Sequence, residues 1–294
     1  MRIIVLGAGA IGSVYGAKLS KFHDVTLIGG AGHVDAITRD GLVIEGTILS
    51  ATLRLPASTT VQRIEPGTLI LLTTKVNNNV AAVAPIVDLL PEGVTIVCVQ
   101  NGLYSEQLVK DLVGNRAVVL RAITQVGGIL VRPGVVDHTV AGYTLLESHA
   151  QSPAIAAVLT EAGLDGRIIP DIKKEMWRKA VFNCVINPTT ALLESEVGSI
   201  VDARLNSLKQ QIIDECVAVA KADGATLDED FVATIDRLFA GARTIASMRQ
   251  DLMKGRKTEI DHMNGAVADL GAKYGVPCPV NAALATMIRY LETK

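Results

Sequence analysis

Ile3-Ile4-Val5-Leu6-Gly7-Ala8-Gly9-Ala10-Ile11-Gly12 sets a run of apolar residues directly before a glycine-rich turn, and the helical pattern IGSVYGAKLSK follows from residue 11. A short continuous apolar run of this kind reads as a strand buried on both faces, as in a parallel sheet. The next such run, VTLIG at 25 to 29, makes the opening β-α-β. In that context each glycine has a duty: Gly7 makes the tight turn, Gly9 lets a pyrophosphate approach the backbone, and Gly12 lets helix and strand pack closely. The helix N-terminus adds free N–H groups and a partial positive charge. Gly7, Ala8, Gly9, Ala10, Ile11 and Gly12 are therefore the candidate phosphate cradle of a dinucleotide site.

A site built for NAD places Asp or Glu near the end of the second strand, about 20 residues on, to hold the ribose 2′-hydroxyl. This chain has Gly29, Gly30, Ala31 and Gly32 there. No carboxylate is present, and no Arg waits for a 2′-phosphate; His33, Arg39 and Lys75 are the nearest candidate cations along the chain.

Outward from the turn, LILLT at 69 to 73 and VTIVCV at 94 to 99 repeat the buried-strand texture. VVLRAITQVGGILV, GVVDHTV and TLLE carry more alternation and are expected to add antiparallel strands to the same sheet. Beyond Pro170 the texture becomes helical, in KKEMWRKAVFNCVIN, LNSLKQQIIDECVAVAKADG and EIDHMNGAVADLGAKYG. The expected architecture is an α/β Rossmann-like N-terminal domain over residues 1–168 and an all-helical C-terminal domain over 169–294. The length agrees, since 294 residues at roughly 150 per domain make about two.

The chain is 49% hydrophobic, which supports two cores, and its net charge of -2 has no single-sign block for a polyanion to hold. Nucleic acid is therefore not an expected partner. Apolar runs are strand-length and no signal peptide is visible, so a cytoplasmic protein without a membrane span is expected. Cys98, Cys184, Cys216 and Cys278 lack CxxC spacing and read as buried free thiols, with no metal site.

Lys179, Asn183 and Asn187 fall at i, i+4 and i+8, a drift of only about 80° around a helix, so they share one face. Their neighbours Trp177, Val181, Phe182, Cys184, Val185 and Ile186 are apolar. A lysine in such a helix loses hydration, which favours release of its proton near neutral pH. Two asparagines on the same face could hold a carboxylate or carbonyl, whereas a merely solvated polar face would give the same pattern. Asn187 precedes Pro188, so it is expected at a helix end. Thr258 and Asp261 have capping-box spacing, with Ile260, Met263, Val267, Leu270 and Tyr274 as the apolar stripe of the helix that follows. Glu259 lies at the edge of that stripe, either facing ligand or complementing the helix dipole. Ser247 reads first as a helix cap.

Together these residues resemble the ketopantoate reductases (2-dehydropantoate 2-reductases) over nearly the whole chain. The matching segments are GAGAIGSVYGAKL at 7 to 19, TTK at 73 to 75, QNG at 100 to 102 and PGVVDHT at 133 to 139. They continue with WRKAVFNCVINPTTAL at 177 to 192, SMRQDLMKGRKTEIDHMNG at 247 to 265 and VPCPVN at 276 to 281. The resemblance implies that Lys179 is the general acid and that Glu259 lies beside cofactor and substrate. It implies that Asn183, Asn187 and Ser247 hold the keto acid, that Asn101 touches nicotinamide and substrate, and that Lys75 and Gly127 join the cofactor contacts. NADPH is the implied cofactor; because Gly30 replaces the usual Arg, NADH is also admitted. Val197 stands where the family often has Asn, which would suit a larger or less polar keto acid.

The expected function is thus NAD(P)H-dependent reduction of a small 2-keto acid, 2-dehydropantoate to pantoate, in pantothenate biosynthesis. The alternatives are a related dehydrogenase of another 2-keto or 2-hydroxy acid, and a dinucleotide-binding protein without chemistry. A homodimer is one allowed assembly, since no sequence feature fixes the oligomeric state.

Overall fold

In the computed structural model, which describes residues 1–294, each apolar run of the first half becomes a strand. In chain order the strands are β1 (Arg2–Leu6), β2 (Asp24–Ile28), β3 (Leu42–Glu45), β4 (Ala51–Leu53), β5 (Ala57–Ser58) and β6 (Leu69–Leu72). They continue as β7 (Thr95–Cys98), β8 (Val118–Thr124), β9 (Gly127–Arg132), β10 (Val135–Val140), β11 (Thr144–Glu147) and β12 (Gly166–Ile169). Five helices are interleaved: α1 (Ala10–Leu19), α2 (Ala31–Asp40), α3 (Asn79–Val83), α4 (Ser105–Val113) and α5 (Ser152–Glu161). The remainder is helical, with α6 (Ile172–Leu192), α7 (Asn206–Ala222), α8 (Phe231–Phe239), α9 (Ser247–Met253), α10 (Asn264–Tyr274) and α11 (Pro279–Leu291). Contacts divide the chain into two units, Met1–Gln100 with Tyr104–Ile172 and Asn101–Leu103 with Lys173–Lys294. No helix is long and apolar enough to cross a membrane.

The main sheet of the first unit has the order β12-β11-β8-β7-β6-β1-β2-β5. From β5 to β8 every neighbouring pair is parallel. Counted as parallel strands in chain order, those six lie 3-2-1-4-5-6, the doubly wound dinucleotide-binding arrangement. Its switch point falls between β1 and β6, and ligands of such sheets bind outside the strand carboxyl ends at that place. The strands are buried on both faces, with Val5, Leu27 and Leu71 in one core layer and Ile4, Ile70 and Ile96 in the other. Tyr15 closes the first layer: its hydroxyl donates to Thr124 at 2.8 Å, and burial pushes the phenol up to about 12.

The later strands differ from the expected antiparallel additions. β8 pairs parallel with β7, and only β11 joins antiparallel to it. β9 and β10 instead form a separate four-stranded sheet, β4-β3-β10-β9. The Pro133–Gly134 turn sends β10 back along β9 as a local hairpin, and β10 also pairs in parallel with β3, some 90 residues earlier in the chain.

In the second unit α6 is a largely buried helix that continues through Pro188 to Leu192. This corrects the expectation of a helix end at Asn187. Proline cannot donate to the carbonyl four residues back, which is that of Cys184. The side-chain Nδ2 of Asn264 donates to that oxygen instead, at 3.0 Å. Asn264 is itself buried beside Asn281, whose Nδ2 donates to Glu215, and the Glu215 carboxylate also accepts the Val280 and Asn281 N–H groups at the start of α11.

Candidate active site

The turn after β1 is shaped as the glycine pattern requires. Gly7 has φ +114°, and a Cβ there would run into the backbone of Thr74 beyond the end of β6. A Cβ on Gly12 would strike the Gly7 carbonyl. The Gly7 and Ala8 N–H groups both donate to the Ile28 carbonyl, at 2.9 and 2.7 Å, and the Thr73 hydroxyl donates to the Gly7 carbonyl at 2.9 Å. Gly9 caps α1 without any side-chain hydrogen bond, and space above it is open. Ala10, Ile11 and Gly12 thus begin a helix whose first N–H groups have no partner within the helix. The open glycine cradle fits a pyrophosphate. Lys75 follows this wall directly, half-buried at the head of the 3₁₀ turn Val76–Asn78.

Two of the candidate cations are corrected. His33 is buried; its Nδ1 accepts the Gly134 N–H at 2.9 Å, so its Nε2 carries the proton and donates to Ser13 Oγ at 3.1 Å. Burial also lowers its pKa, which keeps the ring neutral. Arg39 sits in the last turn of α2 and is paired with Asp40, a helix length from Gly30. Gly30 itself caps α2, exposed, with nothing within 4 Å of where a Cβ would stand.

Gly127 opens β9 opposite Val140, and a Cβ there would lie 2.9 Å from that side chain. It is the next residue, Gly128, that faces α1: a Cβ there would lie 3.3 Å from Val14 Cγ2 and 3.5 Å from the Ala10 carbonyl. The Gly127-Gly128 pair is the sequence signal for this close approach.

All the expected substrate and catalytic residues belong to the second unit, Asn101 included. Lys179 and Asn183 are half-buried on α6, and Asn187 is buried one turn beyond. Asn187 Nδ2 donates to Asn183 Oδ1 at 3.3 Å. Ser247 does not cap α9; that position is Ala246. Its hydroxyl donates to Asn187 Oδ1 at 3.2 Å, and the Met248 N–H reaches the same oxygen at 3.4 Å. Val197 is buried nearby: its N–H donates to the Thr244 carbonyl at 2.8 Å, tying the 3₁₀ turn Val197–Val201 to the segment that leads into Ser247.

The capping box is also corrected. Asp261 accepts from Arg289 at 2.7 Å and pairs with Lys257 at 3.2 Å, while the Thr258 N–H and hydroxyl both donate to Glu292. The helix accordingly starts only at Asn264, after a 3₁₀ turn Ile260–His262. Glu259 precedes that turn, 8% exposed. The Asn101–Leu103 segment rests on the same turn: the Leu103 N–H donates to the His262 carbonyl at 3.0 Å, and Gly102 at φ +83° leaves no room there for a Cβ. His262, not singled out by the sequence, is lowered in pKa by burial and stays neutral.

Comparison with known proteins bears on both units. Residues 3–151 match the family described as "Ketopantoate reductase PanE/ApbA", and residues 171–292 match "Ketopantoate reductase PanE/ApbA C terminal". The 2-dehydropantoate 2-reductase of Pyrococcus horikoshii is 31% identical, over 100% of this chain and 98% of its own length. That of Streptococcus pyogenes serotype M3 is 29% identical over 99% and 98%. Among solved structures, a PanE/ApbA family ketopantoate reductase from Ralstonia eutropha is 28% identical with a TM-score of 0.92, covering 100% of this chain and 99% of that one. A D-mandelate dehydrogenase solved with NADH and anilino(oxo)acetate is 27% identical with a TM-score of 0.93, covering 100% and 98%.

Proposed function

The chain belongs to the ketopantoate reductase family of NAD(P)H-dependent oxidoreductases, and from that premise we propose that it reduces 2-dehydropantoate to pantoate with hydride from NADPH. One observation carries the assignment of residues: Lys179 shares its helix face with Asn183 and Asn187, and Asn187 is bonded to both Asn183 and Ser247. A solvated polar face needs no such linkage to a distant serine.

A dihydronicotinamide dinucleotide held by the Gly7–Gly12 turn would supply hydride for the ketone carbon. Lys179 gives its proton to the oxygen as alkoxide charge develops, an interaction strongest in the transition state. Asn187 spends its Oδ1 on Ser247 and Met248 and its Nδ2 on Asn183, so it fixes the side chains around it. With its Oδ1 accepting from Asn187, Asn183 presents its Nδ2 to the keto acid. Glu259 and Asn101, brought to one turn by His262, complete the substrate side. The Gly7–Gly12 turn holds the pyrophosphate, with Lys75 as the adjoining cation.

Gly30 and Val197 favour a second reading, a dehydrogenase of a bulkier 2-keto acid that also accepts NADH. Kinetics on a panel of 2-keto acids with each cofactor, read at the nicotinamide absorbance, separates the two. The first reading expects 2-dehydropantoate with NADPH to give the highest kcat/KM. A higher kcat/KM for an aromatic or other bulkier 2-keto acid than for 2-dehydropantoate establishes the second, and no turnover with any 2-keto acid removes both.

A further inference from the structure

Below the ligand edge of the main sheet lies a cluster of buried polar groups that the proposed chemistry does not use. Asn79, Gln100, Ser105, Glu106 and Arg121 are each under one-tenth exposed, and Asn79 and Ser105 are fully buried. They come from four places: the start of α3, the second residue past β7, the first turn of α4 and the middle of β8. Thr74, two residues past β6, joins them.

The bonds form one connected set. Gln100 Nε2 donates to the Thr74 carbonyl at 2.7 Å and is within 3.1 Å of its hydroxyl. The Thr74 hydroxyl donates to Asn79 Oδ1 at 3.1 Å, and Asn79 Nδ2 reaches Gln100 Oε1 at 3.1 Å and the Ser105 carbonyl at 3.3 Å. Arg121 Nη2 donates to the Gln100 carbonyl at 2.9 Å, while Nη1 reaches Ser105 Oγ and Glu106.

Burying a guanidinium, a carboxylate and two amides stabilises a core less well than apolar side chains of the same volume. What this cluster does provide is direction. It fixes the Thr74 peptide, against which Gly7 is packed too closely for any Cβ. It also fixes the Gln100 peptide, from which Asn101 continues. Both loops leave the carboxyl ends of adjacent parallel strands, Leu72 pairing with Cys98.

We propose that Asn79 and Gln100 are positioning residues of the dinucleotide site, which hold the Thr73–Lys75 loop against the Gly7 turn before the cofactor arrives. A preformed site avoids the cost of ordering loops on binding, so the cluster acts on cofactor affinity. The inference rests on the reading that a nicotinamide dinucleotide binds the glycine turn.

Its test is the NADPH dissociation constant, from nicotinamide fluorescence, for wild type, Asn79→Leu, Thr74→Val and Thr74→Ser, each held well below its melting temperature. Asn79 is fully buried and Thr74→Val keeps the side-chain shape, so neither variant is chosen for direct contact with a ligand. Both should bind NADPH more than about threefold more weakly, with the keto-acid KM at saturating cofactor unchanged, and Thr74→Ser, which restores the hydroxyl, should bind like wild type. If wild type binds and the Asn79→Leu and Thr74→Val variants stay within about threefold of it, the cluster is structural only and the inference falls while the proposed function stands. A wild type that binds no nicotinamide dinucleotide overturns both. Should Asn79→Leu fail to fold, the Thr74 pair decides: Val and Ser variants of equal affinity overturn the inference.

Discussion

Asn264 Nδ2 donates to the Cys184 carbonyl at 3.0 Å, the oxygen that Pro188 leaves without its helical partner. That bond lets α6 run unbroken past the proline, which keeps Asn187 in register with Asn183 and Lys179. Asn264→Leu leaves the carbonyl buried and unpaired and should cost about 1 to 3 kcal/mol of stability. Denaturant unfolding checks this; a variant as stable as wild type would show that the carbonyl finds another donor.

Ser247 and Asn183 are expected to act on the keto acid and not on the dinucleotide. Ser247→Ala and Asn183→Ala should raise its KM by about tenfold, with cofactor affinity unaltered. Weakened dinucleotide binding with unchanged keto-acid kinetics, measured by calorimetry and initial rates, would contradict the assignment.

Gly30 offers an exposed, sterically open cap of α2, so an arginine fits there without strain. A charge-assisted contact to the 2′-phosphate adds about 1.5 to 3 kcal/mol, roughly a tenfold to hundredfold gain. Gly30→Arg should therefore raise the ratio of kcat/KM for NADPH to that for NADH. An unchanged ratio would mean that the 2′-position is read elsewhere.

His33, His138 and His262 each have a pKa below the ordinary 6.5, burial being the main cause. A depressed histidine contributes stability that is complete above pH 6.5 and is lost as pH falls through its folded value. The melting temperature should fall on acidification from about pH 6.5 to pH 5, and less steeply in His33→Asn. Parallel curves for the two proteins would rule out His33 as a contributor.

The glycine turn was legible because its demands are local: a positive φ at Gly7 and close packing at Gly12 are each met only by glycine. The polar stripe was legible because helical spacing alone brings Lys179, Asn183 and Asn187 to one face. What the sequence hid were pairings at long range. His33 resembles a phosphate ligand until Gly134, 101 residues on, occupies its Nδ1. Thr258 and Asp261 have the spacing of a cap, yet Glu292, just past the end of α11, and Arg289, in its last turn, engage them. The separate sheet of β9 and β10 likewise depends on β3, which precedes them by about half of the unit.

The central claim, that Lys179 supplies the proton, is tested most directly by steady-state kinetics on Lys179→Ala with NADPH and 2-dehydropantoate. Loss of a general acid predicts a kcat about 100-fold lower or more, with the NADPH dissociation constant near wild type. A variant that retains kcat within about threefold of wild type would contradict the account.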